Sequence, residues 1–341
     1  MKKVVLSAMA LAMGSFVMAQ NSSTVDQTNA AAGSSVNVNQ SGNLNTSTLN
    51  QNRVQTHNST STSADVKQNG NGNSSTVDQG DIWNNSAVGN GIVLKVNQIG
   101  NGNESLLKQG GTLNDSDIKQ QGDDNISYVD VQGGSSNEIT VRQNDDDNQS
   151  TIWQSWHKNE VFITQSGFNA NNGGNISTVS QTGSFGLVDV DQVGITNNSD
   201  ISQNRTSTTA LPIENLTAIV NQNGGQNDSD INQTGNSNTI NVRQNGISNF
   251  ASSVQDGEMN TMSTTQNNGN NNLSWASQDG DTSNSDITIL QRNGNWNSSI
   301  ANQIGTTSTT IMVTQNGNGN ISDVDQTTSS MSSVVVNQTR N

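Results

Sequence analysis

Residues 137–165 read NEITVRQ (137–143), NDDD (144–147), NQSTIWQ (148–154), SWHK (155–158) and NEVFITQ (159–165). A seven-residue phrase therefore returns every eleven residues: Asn137, Ile139, Val141, Gln143; then Asn148, Ser150, Ile152, Gln154; then Asn159, Val161, Ile163, Gln165. Strict alternation over seven residues predicts a β-strand, because side chains on a strand point to opposite faces with period two. A helix would scatter these four positions around its axis.

Working outward, the phrase recurs through the chain. It begins at Asn21-Ser23-Val25-Gln27, Ser34-Val36-Val38-Gln40 and Asn45-Ser47-Leu49-Gln51, and ends with the phrases closing at Gln315, Gln326 and Gln338. There are 26 copies, and 14 of the 25 intervals between their closing glutamines are 11 residues, so one repeat domain spans residues 20–341. The copy Asn125–Gln132 is one residue too long, which reads as a β-bulge.

The commonest connector has four residues with glycine second, as in Gln98-Ile-Gly100-Asn-Gly-Asn103 and Gln244-Asn-Gly246-Ile-Ser-Asn249. Four residues are too few for a crossover helix but enough to turn the chain through half a rung. Consecutive strands then lie in two facing sheets, and every second strand stacks in parallel on its predecessor. The third position of the phrase agrees, since small and large residues alternate there: Ser23 then Val36, Ser177 then Val188, Ser229 then Ile240, Ser322 then Val334, with Ser105 and Ser116 an exception. The expected fold is all-β, a two-sheet β-solenoid of stacked strand-turn-strand repeats. With 26 strands it has about 13 rungs and, at about 4.8 Å per rung, a length on the order of 60 Å. Inward Asn and Gln amides are expected to bond to identical residues one rung above and below, which satisfies so polar a core. Asn137, Gln143, Asn148 and Gln154 are the reference positions of these ladders.

Longer connectors at 52–61, 80–91, 166–174 and 204–215 hold His57, Trp83, Phe168 and Pro212, and read as surface loops. Trp153 and Trp275 fall at outward strand positions, and Trp156 and Trp296 in turns.

Composition alone would place the chain with disordered proteins: 28% of residues are hydrophobic and 3% aromatic. The fixed spacing of its few aliphatic residues argues otherwise. Met1 to Ala19 reads as a secretory signal peptide, with Lys2 and Lys3 before an apolar run and Val17-Met18-Ala19 before Gln20. Nothing later approaches the roughly 20 apolar residues of a spanning helix. Removing Lys2 and Lys3 from the 13 Lys and Arg leaves 11 against 28 Asp and Glu, a formal net charge of −17, which argues against a nucleic-acid partner. There is no Cys, so neither disulfides nor thiolate metal sites are available.

The order signal peptide, then Ser/Asn-x5-Gln-x-Gly-x2-Asn-x5-Gln, resembles the curlin repeat of the curli subunits, the bacterial extracellular functional amyloid. Gln109-Gly110-Gly111-Thr112-Leu113-Asn114 leading to Gln120, and Gln233-Thr234-Gly235-Asn236-Ser237-Asn238 leading to Gln244, are close matches. The resemblance implies export as an unfolded chain through an outer-membrane curli secretion channel and conversion to a solenoid at the cell surface. It also implies growth of a homopolymeric, cross-β fibre for adhesion and biofilm matrix, with a minor nucleating curlin as a further partner. In that family, Gln and Asn of the terminal repeats support seeding; the matching positions are Asn21, Gln27 and Gln40 at one end and Asn320, Gln326 and Gln338 at the other. The Gly-rich segment that family members carry after the leader is replaced here by the first phrase.

The physical reading agrees with the name. A solenoid ends in rows of unpaired N–H and C=O groups, and the phrases run from Asn21 to Gln338 with no capping element between them and the termini. Turn acids such as Asp123, Asp124 and Asp145 to Asp147 read either as gatekeepers against unwanted pairing or simply as solvated turn residues. Catalysis needs converging ionisable groups, and two histidines, His57 and His157, with dispersed acids do not supply them, so no enzyme and no cofactor is expected. The Gly-Gly-x-Gly-x-Asp array of a calcium-bound β-roll does not occur. The alternative is a capped extracellular β-solenoid that binds ice, sugar or a surface.

Overall fold

The computed structural model describes residues 20–28, 34–52, 54–55, 62–80, 89–167, 173–204, 215–280 and 282–340. The signal peptide and the loop residues His57, Trp83, Phe168 and Pro212 lie outside them.

Alternation produces strands wherever the phrase occurs, and the connectors are too short for the chain to do anything but reverse. Two parallel sheets of 13 strands each result. The first runs from Ser22–Thr28 and Thr46–Asn52 to Ser298–Ile304 and Ile321–Thr327; the second runs from Ser35–Ser41 and Ser63–Asn69 to Thr310–Gly317 and Ser333–Arg340. Successive strands belong to opposite sheets, and each pairs in parallel with the strand one turn away, so the molecule is a two-sheet β-solenoid. A further short pair, Val54–Gln55 with Gly89–Asn90, joins two of the longer connectors.

Register is held phrase on phrase. Glu138–Asp145 pairs with Glu160–Gly167 so that Ile139 faces Val161, Val141 faces Ile163 and Gln143 faces Gln165. A slip of one residue would turn every aliphatic outward, which is why one buried face specifies register so strongly. On the first sheet the third position is a column of serines from Ser23 to Ser322, with Ala251 the departure. On the second sheet the corresponding column is aliphatic, including Leu94, Ile139, Val161, Val188, Ile240 and Ile311, with Ser116 the departure. Small therefore faces large across a narrow core, as the alternation in the sequence requires. The fifth position adds aliphatics from both sides, Leu49, Val66, Ile118, Ile152, Ile201 and Ile289 among them, all buried.

The connectors stack as regularly as the strands. The turns after the second-sheet strands carry a glycine column that includes Gly70, Gly100 and Gly122, then Gly194, Gly224 and Gly246, with Asp145, the last residue of Glu138–Asp145, in the glycine's place. Two physical reasons select glycine. Gly100 and Gly224 have φ of +118° and +123°, and a Cβ on either would sit 1.9 or 2.0 Å from the carbonyl oxygen of the next glycine in the column, Gly122 or Gly246. Turn side chains form their own ladder beside this column. The Oδ1 of Asn71, Asn101, Asp123 and Asp146 accepts the backbone N–H of Asn43, Asn71, Asn101 and Asp123 respectively, at 2.8–3.0 Å. Two of the acids read as gatekeepers, Asp123 and Asp146, thus also hold the turn.

One expectation is corrected. The bulge expected in the phrase at Asn125 falls just past it: Ser127, Val129 and Val131 stay in register with Ser150, Ile152 and Gln154, and the register shifts between Gln132 and Ser135. The extra residue is taken up in the connector, where Gly133 and Gly134 have φ of +68° and +74°. Val131 therefore occupies the inward slot that glutamine fills elsewhere, and Gln132 points out.

Candidate functional site: amide ladders and the open ends

The second sheet carries an unbroken glutamine ladder. From Gln40 through Gln68, Gln98, Gln120, Gln143, Gln165, Gln192, Gln222, Gln244, Gln266, Gln291 and Gln315 to Gln338, each Nε2 donates to the Oε1 of the next rung at 2.8–3.0 Å. The same nitrogen also reaches a backbone carbonyl of the opposite sheet; Gln143 Nε2 lies 2.9 Å from Ile126 O. Each amide thus fixes rung spacing and ties the two sheets together, inside a core where an unpaired amide would be costly.

The first sheet carries an unbroken asparagine column from Asn21 to Asn320 that runs with the opposite polarity. In Asn148 the backbone N and Nδ2 donate to Asn125 Oδ1 at 3.0 and 3.1 Å, and Asn320 does the same to Asn297 at 3.0 and 2.9 Å. Asparagine donates toward the N-terminal end; glutamine donates toward the C-terminal end. On the second sheet this column survives only in pieces. Asn137 N donates to Asn114 Oδ1 and Asn159 N to Asn137 Oδ1, but Gly186 and Leu216 follow in the next two rungs.

The first-sheet glutamine ladder is broken. It runs from Gln27 to Gln51 and Gln79, each link 2.7 Å, and from Gln154 through Gln181 to Gln326. Between the two segments Val131 faces both Gln109 and Gln154. Gln109 is fully buried with neither Oε1 nor Nε2 hydrogen-bonded, and Gln154 Oε1 is likewise unpaired. The sequence held the signal for this: counting eleven on from Gln120 lands on Val131.

At the ends the ladders stop in mid-pattern. Among the described residues, Ser22–Thr28 and Ser35–Ser41 are terminal strands at one end and Ile321–Thr327 and Ser333–Arg340 at the other, each paired along one edge. Ser22–Thr28 is exposed throughout. The Oε1 atoms of Gln27 and Gln40 accept from no described group, while their Nε2 atoms are engaged in the ladder. At the opposite end Gln326 and Gln338 have their Oε1 atoms occupied by Gln303 and Gln315; Gln326 Nε2 donates to Ser332 Oγ and Gln338 Nε2 to Ile321 O, and neither has a further glutamine to donate to. For asparagine the relation is reversed: Asn21 offers donors, and Asn320 offers Oδ1. One end is therefore the hydrogen-bond complement of the other.

The four reference positions Asn137, Gln143, Asn148 and Gln154 are buried in the ladders, whereas Asn21, Gln27, Gln40, Asn320, Gln326 and Gln338 are brought to the two ends. His157 lies exposed at a strand end, its Nδ1 3.0 Å from Ser135 Oγ. Among the described residues no three His, Asp or Glu side chains come together in a way that could hold a metal ion. No family model matches the chain, and no curated protein matches it.

Proposed function

We propose that this chain is a secreted structural subunit that adds end to end into curli-like extracellular fibres serving adhesion and biofilm matrix. The observation that carries this reading is the opposite hydrogen-bond character of the two ends. Stacking Ser22–Thr28 of one copy on Ile321–Thr327 of another continues all three ladders with donors on acceptors. Joining two like ends would set glutamine acceptors against acceptors, or donors against donors, instead of pairing them. A head-to-tail contact between translated copies does not close on itself, so it generates a filament. Parallel strands stacked along the fibre, with identical amides in columns, make the cross-β arrangement. The repeat's resemblance to curlin supports the same assignment, with a structural rather than catalytic role, a minor nucleating curlin and an outer-membrane secretion channel as partners, and an extracellular location.

The test is a time course on residues 20–341 diluted from denaturant, followed by far-UV circular dichroism and amyloid-dye fluorescence with and without preformed seeds. A lag abolished by seeds, and a fibre diffraction spacing near 4.8 Å along the fibre, are expected. Prompt folding to a soluble monomer that ignores seeds would overturn the proposal and favour a solenoid that binds ice, sugar or a surface.

A further inference from the structure

The amide ladders leave no choice of register where two copies meet end to end. With Gln27 of one copy stacked on Gln326 of the other, the residue before each must follow, so Asp26 falls on Asp325 at one strand spacing, roughly 4.8 Å. Both carboxylates point outward and are exposed in the single chain. They occupy the sixth position of the phrase, and among the described residues no acid at that position stacks on another acid. Asp26 faces Asn50, Asp78 faces Asn50 and Lys108, and Asp130 faces Lys108 and Trp153. Asp191 faces Thr164 and Asn221, and Asp325 faces Asn302. Two of these neighbours are direct donors: Asn50 Nδ2 reaches Asp78 Oδ1 at 2.6 Å and Asn302 Nδ2 reaches Asp325 Oδ1 at 2.8 Å. The junction therefore makes a contact that the chain avoids within itself.

Two carboxylates in register repel, and a pair that shares one site holds a proton that either alone would release. Nothing around this pair offsets the charge. Asp26 has Asn50 on the next strand and accepts from Thr28 Oγ1 at 2.8 Å; Asp325 has Asn302. Asp323, two residues along on the same face, adds a further negative charge and falls on Thr24. The one Lys or Arg on the four end strands is Arg340, which belongs to the second sheet. We propose that the end-to-end contact takes up a proton shared by Asp26 of one copy and Asp325 of the next, so that acid promotes joining and neutral pH restrains it. The inference rests on the fibre reading above. Joined ends bind more protons than separate ends, and linkage then favours joining as pH falls. A stacked acid pair elsewhere in the chain behaves in this sense: Asp200 lies on Asp230, and burial, then Asp200 and Asp228, raise the Asp230 carboxyl above the ordinary 3.8.

The experiment is seeded elongation of residues 20–341, each protein on its own seeds, at about pH 7 and about pH 4, either side of most carboxylate titration. Acid lowers the net charge of the whole chain, so Asp26→Asn is compared with Glu160→Gln, which changes net charge equally at an exposed acid far from both ends. At neutral pH Asp26→Asn should elongate at least about fourfold faster than Glu160→Gln, the weight of one charge pair at about 4.8 Å in water. In acid the two rates should converge. Asp325→Asn, at the other end of the chain, should match Asp26→Asn. Circular dichroism of the fibres establishes that each variant keeps the β-signal. Equal neutral-pH rates for Asp26→Asn, Asp325→Asn and Glu160→Gln would overturn the proposal, and so would an advantage that persists undiminished in acid. Absence of seeded growth in every protein at both pH values would instead defeat the fibre reading, and this inference with it.

Discussion

Replacing Gln109 by methionine should stabilise the protein, whereas the same replacement at Gln143 should destabilise it. Both side chains are fully buried, occupy the closing position of the phrase and have nearly the same shape as methionine. Their surroundings differ. Gln109 has two unpaired amide atoms, and each buried, unsatisfied polar atom costs about 1–3 kcal/mol. Methionine removes both and keeps the volume, so a gain of about 2 kcal/mol is a conservative expectation. Gln143 accepts from Gln120 and donates to Gln165 Oε1 at 3.0 Å and Ile126 O at 2.9 Å. Methionine there strands the Gln165 oxygen and frees the Ile126 carbonyl, for a loss of about 2–3 kcal/mol. A solenoid unfolds locally as well as globally, so urea midpoints should be read together with amide hydrogen exchange in the rungs beside each site. The reasoning fails if the two variants shift stability in the same direction by similar amounts.

Three further outcomes follow from the same geometry. Gly224→Ala places a Cβ 2.0 Å from a backbone oxygen and should lower stability by at least about 3 kcal/mol, while Gly72→Ala, at φ +66° with open space around it, should cost only about 1 kcal/mol; paired urea denaturation curves decide. Burial raises the pKa of Asp115, Asp189 and Asp230 above the ordinary 3.8, helped at Asp189 by Asp191 and at Asp230 by Asp200 and Asp228. A raised carboxylate binds more protons folded than unfolded, so stability should fall as pH rises through the window just above 3.8, and Asp230→Asn should flatten that fall in urea midpoints taken across it. The double variant Gln40→Glu, Gln338→Glu brings two carboxylates together at a head-to-tail junction and should slow seeded elongation at least about tenfold; wild-type growth rates would count against the proposed contact.

Much of this architecture was legible in the order of residues. The period of two within each phrase, the eleven-residue return and the four-residue connectors leave little but paired sheets of parallel strands. The alternation of Ser177 with Val188 and Ser229 with Ile240 already assigns each phrase to its sheet. These features are local, since one phrase and its neighbour contain them. The glycine column was half legible: positive φ follows from a tight turn, but the collision of a Cβ with the carbonyl of the next rung exists only once rungs are stacked.

What tertiary structure alone decided concerns groups about twenty-two residues or more apart that meet across rungs. The polarity of the ladders, glutamine donating one way and asparagine the other, depends on how each amide is turned toward its two neighbours, which no sequence position records. Restriction of the complete asparagine column to the first sheet emerged when Gly186 and Leu216 were found stacked in line with Asn159. Gln132 looked like a displaced ladder residue; the eleven-residue count from Gln120 pointed to Val131, and its pairing with Gln109 and Gln154 places Val131 in the slot. The joining of Lys108, Tyr128, Asp130 and Trp153 on one outer face has the same origin, because parallel stacking makes neighbours of residues from three different rungs. Spacing along the chain determines which side of a strand a residue faces; only the stacked register determines what it faces there.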